Sequence, residues 1–469
     1  MQLIESDWTF DWWIAAEDRI HTPADEASVR QHRLGAGPVV QTSMRVPGGD
    51  VHQRTWAYDG GIVLEFENTT ATPVGLTLSV RPYDLEGRPS TPVVQLGSDH
   101  VRVGDHDVWL GSEARDTVPE LDAVIVPLPH KAIARAFLTP YSYSSDRELP
   151  ESSAAVRGWE RLITDRVRIQ LPDDRMTSLF DQSRGRLALS TFDLAERVAN
   201  LEPSAGSELT AVCQGGFRAE AVEVLRWLLV QRWHPRHVKR SEDHRAAAEV
   251  MDGLSWALTM YAPKWSQEFI PAGTKLTSTV AKHGTDAQRR LAEGGLARLV
   301  LGLGDATRAG EIHSGYGFEH AGPITTLAGL VAHAEAASET GSWGDDDVGE
   351  AAVAIRSVRS LIVQESWIDD QPALGLFPGG FPSGWRGGPL EIHELPTAFG
   401  DLSAAVRWHG ARPALLWEFD RAGHVLTPVE LRCQSLDPQW STTDRKGETL
   451  LAGTTVGLGQ APTEGDSFS

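Results

Sequence analysis

Two groups of carboxylates in the sequence have the neighbours that acid–base chemistry on a glycosidic bond requires. In SEDHRAAAEVMDGLSW, Glu249 and Asp252 are three residues apart and share one face of a helix with Trp256. In GYGFEHAGP, Glu319 precedes a Gly-Pro step typical of a helix start, where the helix dipole favours an ionised carboxylate. Glycoside hydrolysis uses one protonated and one ionised carboxyl group. We therefore interpret Glu249 or Asp252 as the acid and Glu319 as the base, against the alternatives of a solvated helix face and a helix-capping acid.

Four further side chains have types suited to contact a sugar. Tyr316 and His320 flank Glu319, Trp256 follows Asp252, and Trp385 lies in the Gly/Pro/aromatic segment FPGGFPSGWRGG. The chain has 16 tryptophans and 6 tyrosines. Tryptophan stacks on apolar ring faces and also fills large cores. We predict that Trp256, His320, Tyr316 and Trp385 bind substrate, with core packing as the alternative.

Two other polar clusters are weaker candidates. HPRHVKRSEDH contains three histidines and two acids, but their spacing fits no standard zinc pattern, and we predict no metal and no cofactor. In LEIHEL, strand alternation places Glu391 and His393 on one side and Ile392 and Glu394 on the other. Packing between domains is one interpretation of this segment, and Glu394 as a second catalytic carboxylate is the other. Motifs for serine hydrolases, nucleotide binding and zinc proteases are absent from the sequence.

Composition narrows the class of protein. The 469 residues are 41% hydrophobic, and 43 Lys and Arg against 64 Asp and Glu give a net charge of −21. Such a charge, without any long basic run, disfavours nucleic acid and anionic membranes as partners. The opening MQLIESDWTF is unlike a leader peptide, and no window approaches the roughly 18 apolar residues of a membrane span. We therefore expect a cytoplasmic protein whose oligomeric state the sequence does not indicate.

The hydrophobic pattern changes twice along the chain. From Asp7 to about Arg161 it alternates with period two and is punctuated by turns, which predicts an antiparallel sandwich. After Pro372 short strands return. Between these parts, six segments have apolar residues at spacings of three and four, which predicts helices: DDRMTSLFDQSRGRLALS, GFRAEAVEVLRWLLVQRW, AAAEVMDGLSWALTMY, DAQRRLAEGGLARLVLGL, ITTLAGLVAHAEAA and DDVGEAAVAIRSVRSLIVQE.

Several stretches resemble the six-hairpin glycosidases, and in particular actinobacterial glycogen-debranching proteins of the amylo-alpha-1,6-glucosidase type. They are WTFDWWIAAEDRIH, GGFRAEAVEVLRWLLVQRW and FPSGWRGGPLEIHELPTAFGDLSAAVRWHGARPALLWE. The resemblance implies an N-terminal sandwich, an (α/α)6 toroid and a closing β-domain. A complete toroid has twelve helices, and the sequence shows six clear periodic segments, so the resemblance also allows an incomplete one.

These observations predict a multidomain α+β protein. We expect an N-terminal antiparallel β-sandwich over 1–165, an α/α toroid over 166–372, a small C-terminal β-domain over 373–455 and a disordered tail over 456–469. The predicted function is hydrolysis of a glycosidic bond in an oligo- or polysaccharide. The alternatives are a non-catalytic carbohydrate-binding or structural relative, and a polysaccharide lyase, which would require a Tyr or His base with an Arg or Lys neutraliser.

Overall fold

The chain separates into two compact units, residues 1–162 and 163–469. The computed structural model describes residues 7–35, 37–96, 100–104, 106–109, 116–118, 122–139, 148–164, 167–191, 193–235, 241–312, 347–368, 371–423 and 425–453.

The first unit contains two antiparallel sheets. Their strands are β1 (Thr9–Ala15), β2 (Ile20–His21), β3 (Arg30–Arg33), β4 (Val40–Val46), β5 (Gly49–Tyr58), β6 (Gly61–Asn68), β7 (Val74–Arg81), β8 (Val94–Leu96), β9 (His100–Val103), β10 (His106–Trp109), β11 (Asp116–Val118), β12 (Ala123–Leu128) and β13 (Ile133–Thr139). One sheet has the order β11-β12-β7-β1-β2, and the other has the order β3-β4-β5-β6-β13-β10-β9-β8. Side chains of both sheets contribute to one core, in which the rings of Trp12 and Phe66 meet edge to face at 5.5 Å.

The end of the first unit is helical, whereas the sequence pattern predicted β structure as far as Arg161. Helix α1 (Ser152–Thr164) begins beside strand β6. Ser152 donates from its hydroxyl to the buried Glu65 carboxylate at 2.6 Å, and its backbone N–H donates to the same group at 3.3 Å. A carboxylate therefore satisfies a free N–H at the helix start. Because Glu65 lies 87 residues before Ser152 in the chain, local periodicity could not reveal this contact.

Helices make up much of the second unit. These are α2 (Asp174–Leu189), α3 (Leu194–Ala199), α4 (Ala205–Gln214), α5 (Arg218–Val230), α6 (Ser241–Tyr261), α7 (Ser266–His283), α8 (Asp286–Gly302), α9 (Ala306–Ile312) and α10 (Asp347–Ile362). Five of the six periodic segments lie in α2, α5, α6, α8 and α10. The sixth, ITTLAGLVAHAEAA, lies outside the described residues.

The second unit also contains two sheets, in which one short strand precedes α2 in the chain and the other strands follow α10. Their strands are β14 (Arg168–Gln170), β15 (Val363–Ile368), β16 (Gln371–Leu376), β17 (Leu390–Thr397), β18 (Gly400–His409), β19 (Arg412–Arg421), β20 (Glu430–Arg432), β21 (Ser441–Thr442) and β22 (Lys446–Leu450). Their orders are β14-β17-β18-β19-β22 and β15-β16-β20-β21, and the pair β16–β20 is parallel. Helices and sheets share one apolar core, which contains Trp256 from α6 and Leu402 from β18.

The prediction of a mixed α+β protein with antiparallel sheets is confirmed. The toroid, the sandwich and the domain boundaries remain predictions, and the predicted boundary at 372/373 falls inside β16. The predicted tail lies outside the described residues. In the ranges that the structure describes, no helix combines the length and apolar character needed to cross a bilayer.

Candidate functional site

A cavity of about 360 Å³ opens in the second unit between two groups of elements. The loop before α5, the start of α5 and the end of α6 line one side, and strands β17, β18 and β19 line the other. This volume is within the roughly 300–1,000 Å³ of small-molecule sites. Charged and polar side chains contribute much of its lining. The lining residues are Val167, Gly216, Arg218, Met260, Tyr261, Pro263, Glu394, Pro396, Thr397, Gly400, Asp401, Asp420, Arg421, Ala422 and Gly423.

Two carboxylates lie side by side on neighbouring strands at this cavity. Asp401 on β18 and Asp420 on β19 are direct cross-strand partners in the antiparallel register. Side chains of such partners stand on one face of the sheet with Cβ atoms about 4.5–5.5 Å apart. Leu402 and Phe419, the adjacent cross-strand pair, are buried on the opposite face. The alternation of the two strands therefore directs both aspartates away from the core and into the cavity.

A β-bulge places a third carboxylate in the lining. The register of β17 against β18 shifts between Ile392 and Leu395, and Glu394 in the bulge has a left-handed backbone with φ of 49°. Its backbone N–H donates to the Ser403 hydroxyl at 3.0 Å. Left-handed backbone at a non-glycine residue is uncommon and costs free energy, and bulges recur where a side chain is re-aimed beside a site. Strict alternation predicted Glu394 on the same side of the strand as Ile392, which is buried. The bulge instead exposes Glu394 on the cavity side.

The helical wall of the cavity carries Arg218 and Tyr261. The Arg218 guanidinium lies 5.9 Å from the centre of the Tyr261 ring. The Tyr261 hydroxyl donates to the carbonyl of Cys213 at 2.7 Å. Burial raises the pKa of the Tyr261 phenol well above its usual range, and the charge of Asp401 adds to that effect. Tyr261 is therefore a neutral wall of the cavity, while Arg218 presents a cation.

Arg184, a buried residue of α2, fixes the backbone of the helical wall. Its Nε donates to the carbonyl of Gly215 and its Nη1 donates to that of Val167, both at 2.9 Å. Gly216, beside these groups, has φ of 84°, and a Cβ there would lie 2.4 Å from a Val167 methyl. The close approach of these two segments requires glycine.

A buried ion pair fixes the opposite wall. Arg359 in α10 and Glu365 in β15 are each about 3% exposed, and the guanidinium and carboxylate are hydrogen-bonded to each other. Arg359 also donates to the carbonyl of Pro396 at 3.0 Å, and Glu365 accepts from the N–H of Ala398 at 3.2 Å. Both contacts are to residues 396–400, which form the end of β17, the connection and the first residue of β18, immediately before Asp401. We call this segment the turn.

The two predicted acids do not line this cavity. Asp252 is 2% exposed, pairs with Arg298 at 2.8 Å and accepts from the Thr210 hydroxyl at 3.2 Å. Glu249 pairs with the exposed Arg245, one turn before it on α6, at 2.9 Å. Asp252 therefore stabilises a buried cation, and Glu249 is a partly buried acid that pairs with an exposed arginine. Their predicted catalytic roles are not tested by these contacts and stay predictions.

The two predicted tryptophans are core residues in the structure. Trp256 is fully buried, with the guanidinium carbons of Arg298 and Arg359 at 4.4 and 5.3 Å from its ring centre. Trp385 is 2% exposed and meets the Phe381 ring edge to face at 6.2 Å. These contacts agree with core packing, which was the alternative interpretation of the two tryptophans. Substrate binding by Trp256 or Trp385 stays a prediction.

The remaining predicted site residues lie outside the described ranges. Glu319, His320 and Tyr316 are among them, as is the segment 236–240 of the histidine-rich stretch. In the described part of the chain, no group of three or more His, Cys, Asp and Glu side chains is arranged to hold a metal ion.

Sequence reasoning missed Asp401, Asp420 and Arg218 and considered Glu394. The two aspartates lie at the beginning of one strand and near the end of the next, and only the pairing of those strands brings them together. The usable signal was FGD beside FDRAG, two similar strand ends with an acid next to an aromatic residue. Arg218 belongs to the sequence GGFR, where a glycine pair precedes a helix.

No family model matches the chain, and no curated protein matches it either. Among solved structures, a polysaccharide lyase is similar over 79% of this chain and 88% of its own, with 9% identity and a TM-score of 0.17. At that score the likeness carries no information about the fold or the chemistry of this chain.

Proposed function

We propose that the protein binds a carbohydrate in the cavity of the second unit and hydrolyses a glycosidic bond there. The observation that carries the proposal is the cross-strand pair of Asp401 and Asp420 in the lining. Two adjacent carboxyl groups supply both roles that the reaction needs: one donates a proton to the leaving oxygen, and the ionised one attacks carbon or activates water. Carboxyl groups of retaining glycosidases lie about 5–5.5 Å apart. Cross-strand neighbours have Cβ atoms about 4.5–5.5 Å apart, so rotation of the two side chains can bring their carboxyl groups to that separation.

The rest of the lining supports a hydroxyl-rich ligand. Glu394 on the sheet wall accepts hydrogen bonds, and Arg218 on the helical wall donates them. A ring bound between these walls has hydrogen-bonding groups on opposite sides and the neutral face of Tyr261 beside it. Such a mixture of a few polar groups and an aromatic surface fixes the orientation of a small polar ligand.

Lyase chemistry fits this cavity less well than hydrolysis. A lyase needs a base to remove a carbon-bound proton, and the lining residues that the structure describes include one tyrosine and no histidine. The Tyr261 hydroxyl already donates to the Cys213 carbonyl, and burial favours its neutral form. Tyr261 is thus a poor base, whereas the carboxylates need no such activation.

Several expectations from the sequence belong to the same proposal. We infer an N-terminal sandwich and an α/α toroid as the architecture, with carbohydrate as the partner and neither nucleic acid nor membrane. The cytoplasmic location and the roles of Glu319, Glu249 and Asp252 depend on the sequence alone.

The test is a screen of the purified protein against 4-nitrophenyl α- and β-glycosides and against oligosaccharides. We expect D401N and D420N to lower kcat/KM at least 100-fold without a loss of thermal stability. Glu418→Gln is the matched control, since Glu418 lies two residues from Asp420 on the same exposed face of β19 but outside the cavity lining. Full activity in both aspartate variants would overturn the assignment of the cavity.

The same screen separates hydrolysis from binding without chemistry. Calorimetric titration with those sugars that are not cleaved shows whether the wild type binds them. Binding that is lost in D401N, with no hydrolysis of any compound, would establish the non-catalytic alternative. Loss of hydrolysis in E319Q with retention in D401N and D420N would instead move the site to Glu319.

A further inference from the structure

Three hydrogen bonds within and beside the turn hold its backbone before Asp401. Thr397 donates from its hydroxyl to the Gly400 carbonyl at 2.6 Å and accepts from the N–H of Phe399 at 3.2 Å. The carbonyl of Phe399 accepts from the N–H of Ala422 at 2.8 Å, just beyond Asp420. These bonds connect the beginning of β18 to the end of β19, where the two aspartates face each other.

Gly400 brings the two strand ends unusually close. Its φ is 143°, and a Cβ at this position would lie 2.1 Å from the carbonyl oxygen of Asp420. Only glycine fits such an approach. A small shift of the turn therefore changes the position of Asp401 relative to Asp420.

Arg359 and Glu365 contact the same turn from the core. Arg359 donates to the carbonyl of Pro396 and Glu365 accepts from the N–H of Ala398, so the pair binds backbone groups on both sides of Thr397. Neither residue lines the cavity. Burying two charges costs free energy that their attraction only partly repays, and the additional hydrogen bonds offset the cost. Such a pair therefore adds little net stability, and its main effect is to hold the turn in one position.

The ion pair is in turn fixed by the interior of α6. Trp256 contacts the guanidinium groups of both Arg359 and Arg298, and Arg298 pairs with Asp252. Cations over an aromatic face are attracted to it, more strongly when water is excluded. A buried chain of contacts thus leads from Asp252 through Trp256 to the turn.

We infer that Arg359 and Glu365 are positioning residues, which set the placement of Asp401 opposite Asp420 through the backbone of residues 396–400. The inference rests on the proposed function for its effect on catalysis. The effect on the turn itself does not depend on that function.

The test compares Glu365 with a buried glutamate elsewhere in the same unit. Glu208 is 1% exposed, pairs with Arg197 at 2.6 Å and lines no part of the cavity, so Glu208→Ala is the matched control. Hydrogen–deuterium exchange of the peptide 394–403 reports the turn, and thermal unfolding reports global stability. Both glutamate variants are expected to lose thermal stability.

With Glu365→Ala we expect exchange of this peptide to rise at least tenfold beyond the change that E208A produces, and kcat to fall at least tenfold with KM changed less than threefold. Glu365→Gln retains one acceptor for the Ala398 N–H and should restore part of both properties. E365Q also serves as the test protein if E365A does not fold. Equal exchange of the peptide in the Glu365 and Glu208 variants would overturn the inference. If exchange of the peptide rises in E365A but the wild-type protein cleaves no glycoside, the positioning of the turn is established and the proposed function is refuted.

Discussion

Asp401 and Asp420 are cross-strand partners at the cavity end of β18 and β19, with their strand neighbours Leu402 and Phe419 buried on the other face. Like charges directly opposite one another destabilise a sheet. Their presence at the lining of a cavity, rather than at a random sheet position, is the reason for assigning them a chemical role.

The first prediction concerns the coupling of the two aspartates. If both act on one bond, the D401N/D420N double variant should be no less active than the worse single variant, because residues acting as a unit give non-additive losses. Initial rates on the most reactive glycoside from the screen measure this. Losses that multiply in the double variant would show that the two groups act independently.

The second prediction concerns the strain at Glu394. Glu394→Gly removes the cost of a left-handed backbone and should raise the free energy of unfolding by about 0.5–1 kcal/mol while lowering sugar affinity. Urea unfolding and calorimetric titration measure the two effects. Glu391→Gly on the same strand, where the backbone is extended, should destabilise by a similar amount. If both variants lower the free energy of unfolding, the left-handed backbone at Glu394 does not cost stability that glycine can recover.

The third prediction concerns the close approach at Gly216. Gly216→Ala should destabilise by roughly 2 kcal/mol or more, since the new methyl meets a Val167 methyl at 2.4 Å and the left-handed backbone disfavours alanine. Gly294→Ala is the control. Gly294 is a helical residue of α8 whose added methyl meets nothing within 4 Å, so the change should stabilise by up to about 1 kcal/mol. Urea unfolding gives both values, and an unaltered midpoint in G216A would contradict the assignment of a tight wall.

The fourth prediction concerns the acid sensitivity of the first unit. Burial acts to raise the pKa of Glu65, but hydrogen bonds from Ser152, Arg135 and Arg54 outweigh burial and hold the pKa below its usual range. The resulting stabilisation is complete above the unfolded-state pKa of about 4.3 and is lost as the pH falls through the lower folded-state pKa. Stability should therefore decline with falling pH below about pH 4.3.

Hydrogen exchange of strands β5, β6 and β13 between pH 3 and 6 measures this decline. Glu65→Gln, which cannot ionise, should flatten the dependence. Ser152→Ala, which removes one of the bonds, should reduce it in part. An unchanged slope in E65Q would assign the acid sensitivity to other groups.

The sequence predicted helices with a polar face better than fully buried ones. α5 repeats apolar residues every three or four positions, and its buried residues follow that repeat. In α4, nine of ten residues are buried, from Ala205 to Gln214, so no polar face exists to show the helical period. α7 contains Pro271 within its helix, which in sequence reads as a break.

The candidate site was harder to predict because strand pairing assembles it. Glu394 was identified as a carboxylate beside a glycine-rich loop, but simple alternation placed it with Ile392, and the bulge moved it to the cavity. The partnership of Asp401 and Asp420 depends on a register that no local pattern encodes. Asp252 and Trp256 were predicted to share one face of a helix, and in the structure both contact the buried Arg298.

The walls of the cavity are bonded to groups that lie outside it. Arg184 donates to the carbonyls of Val167 and Gly215, and Arg359 donates to that of Pro396. Arg218 and Glu394, in contrast, belong to the lining itself. Shape and specificity are thereby encoded by separate residues. Evolution or design can exchange the exposed lining side chains for others without rebuilding the scaffold, and a library randomised at Arg218 and Glu394 should consist largely of folded proteins with altered ligand preference.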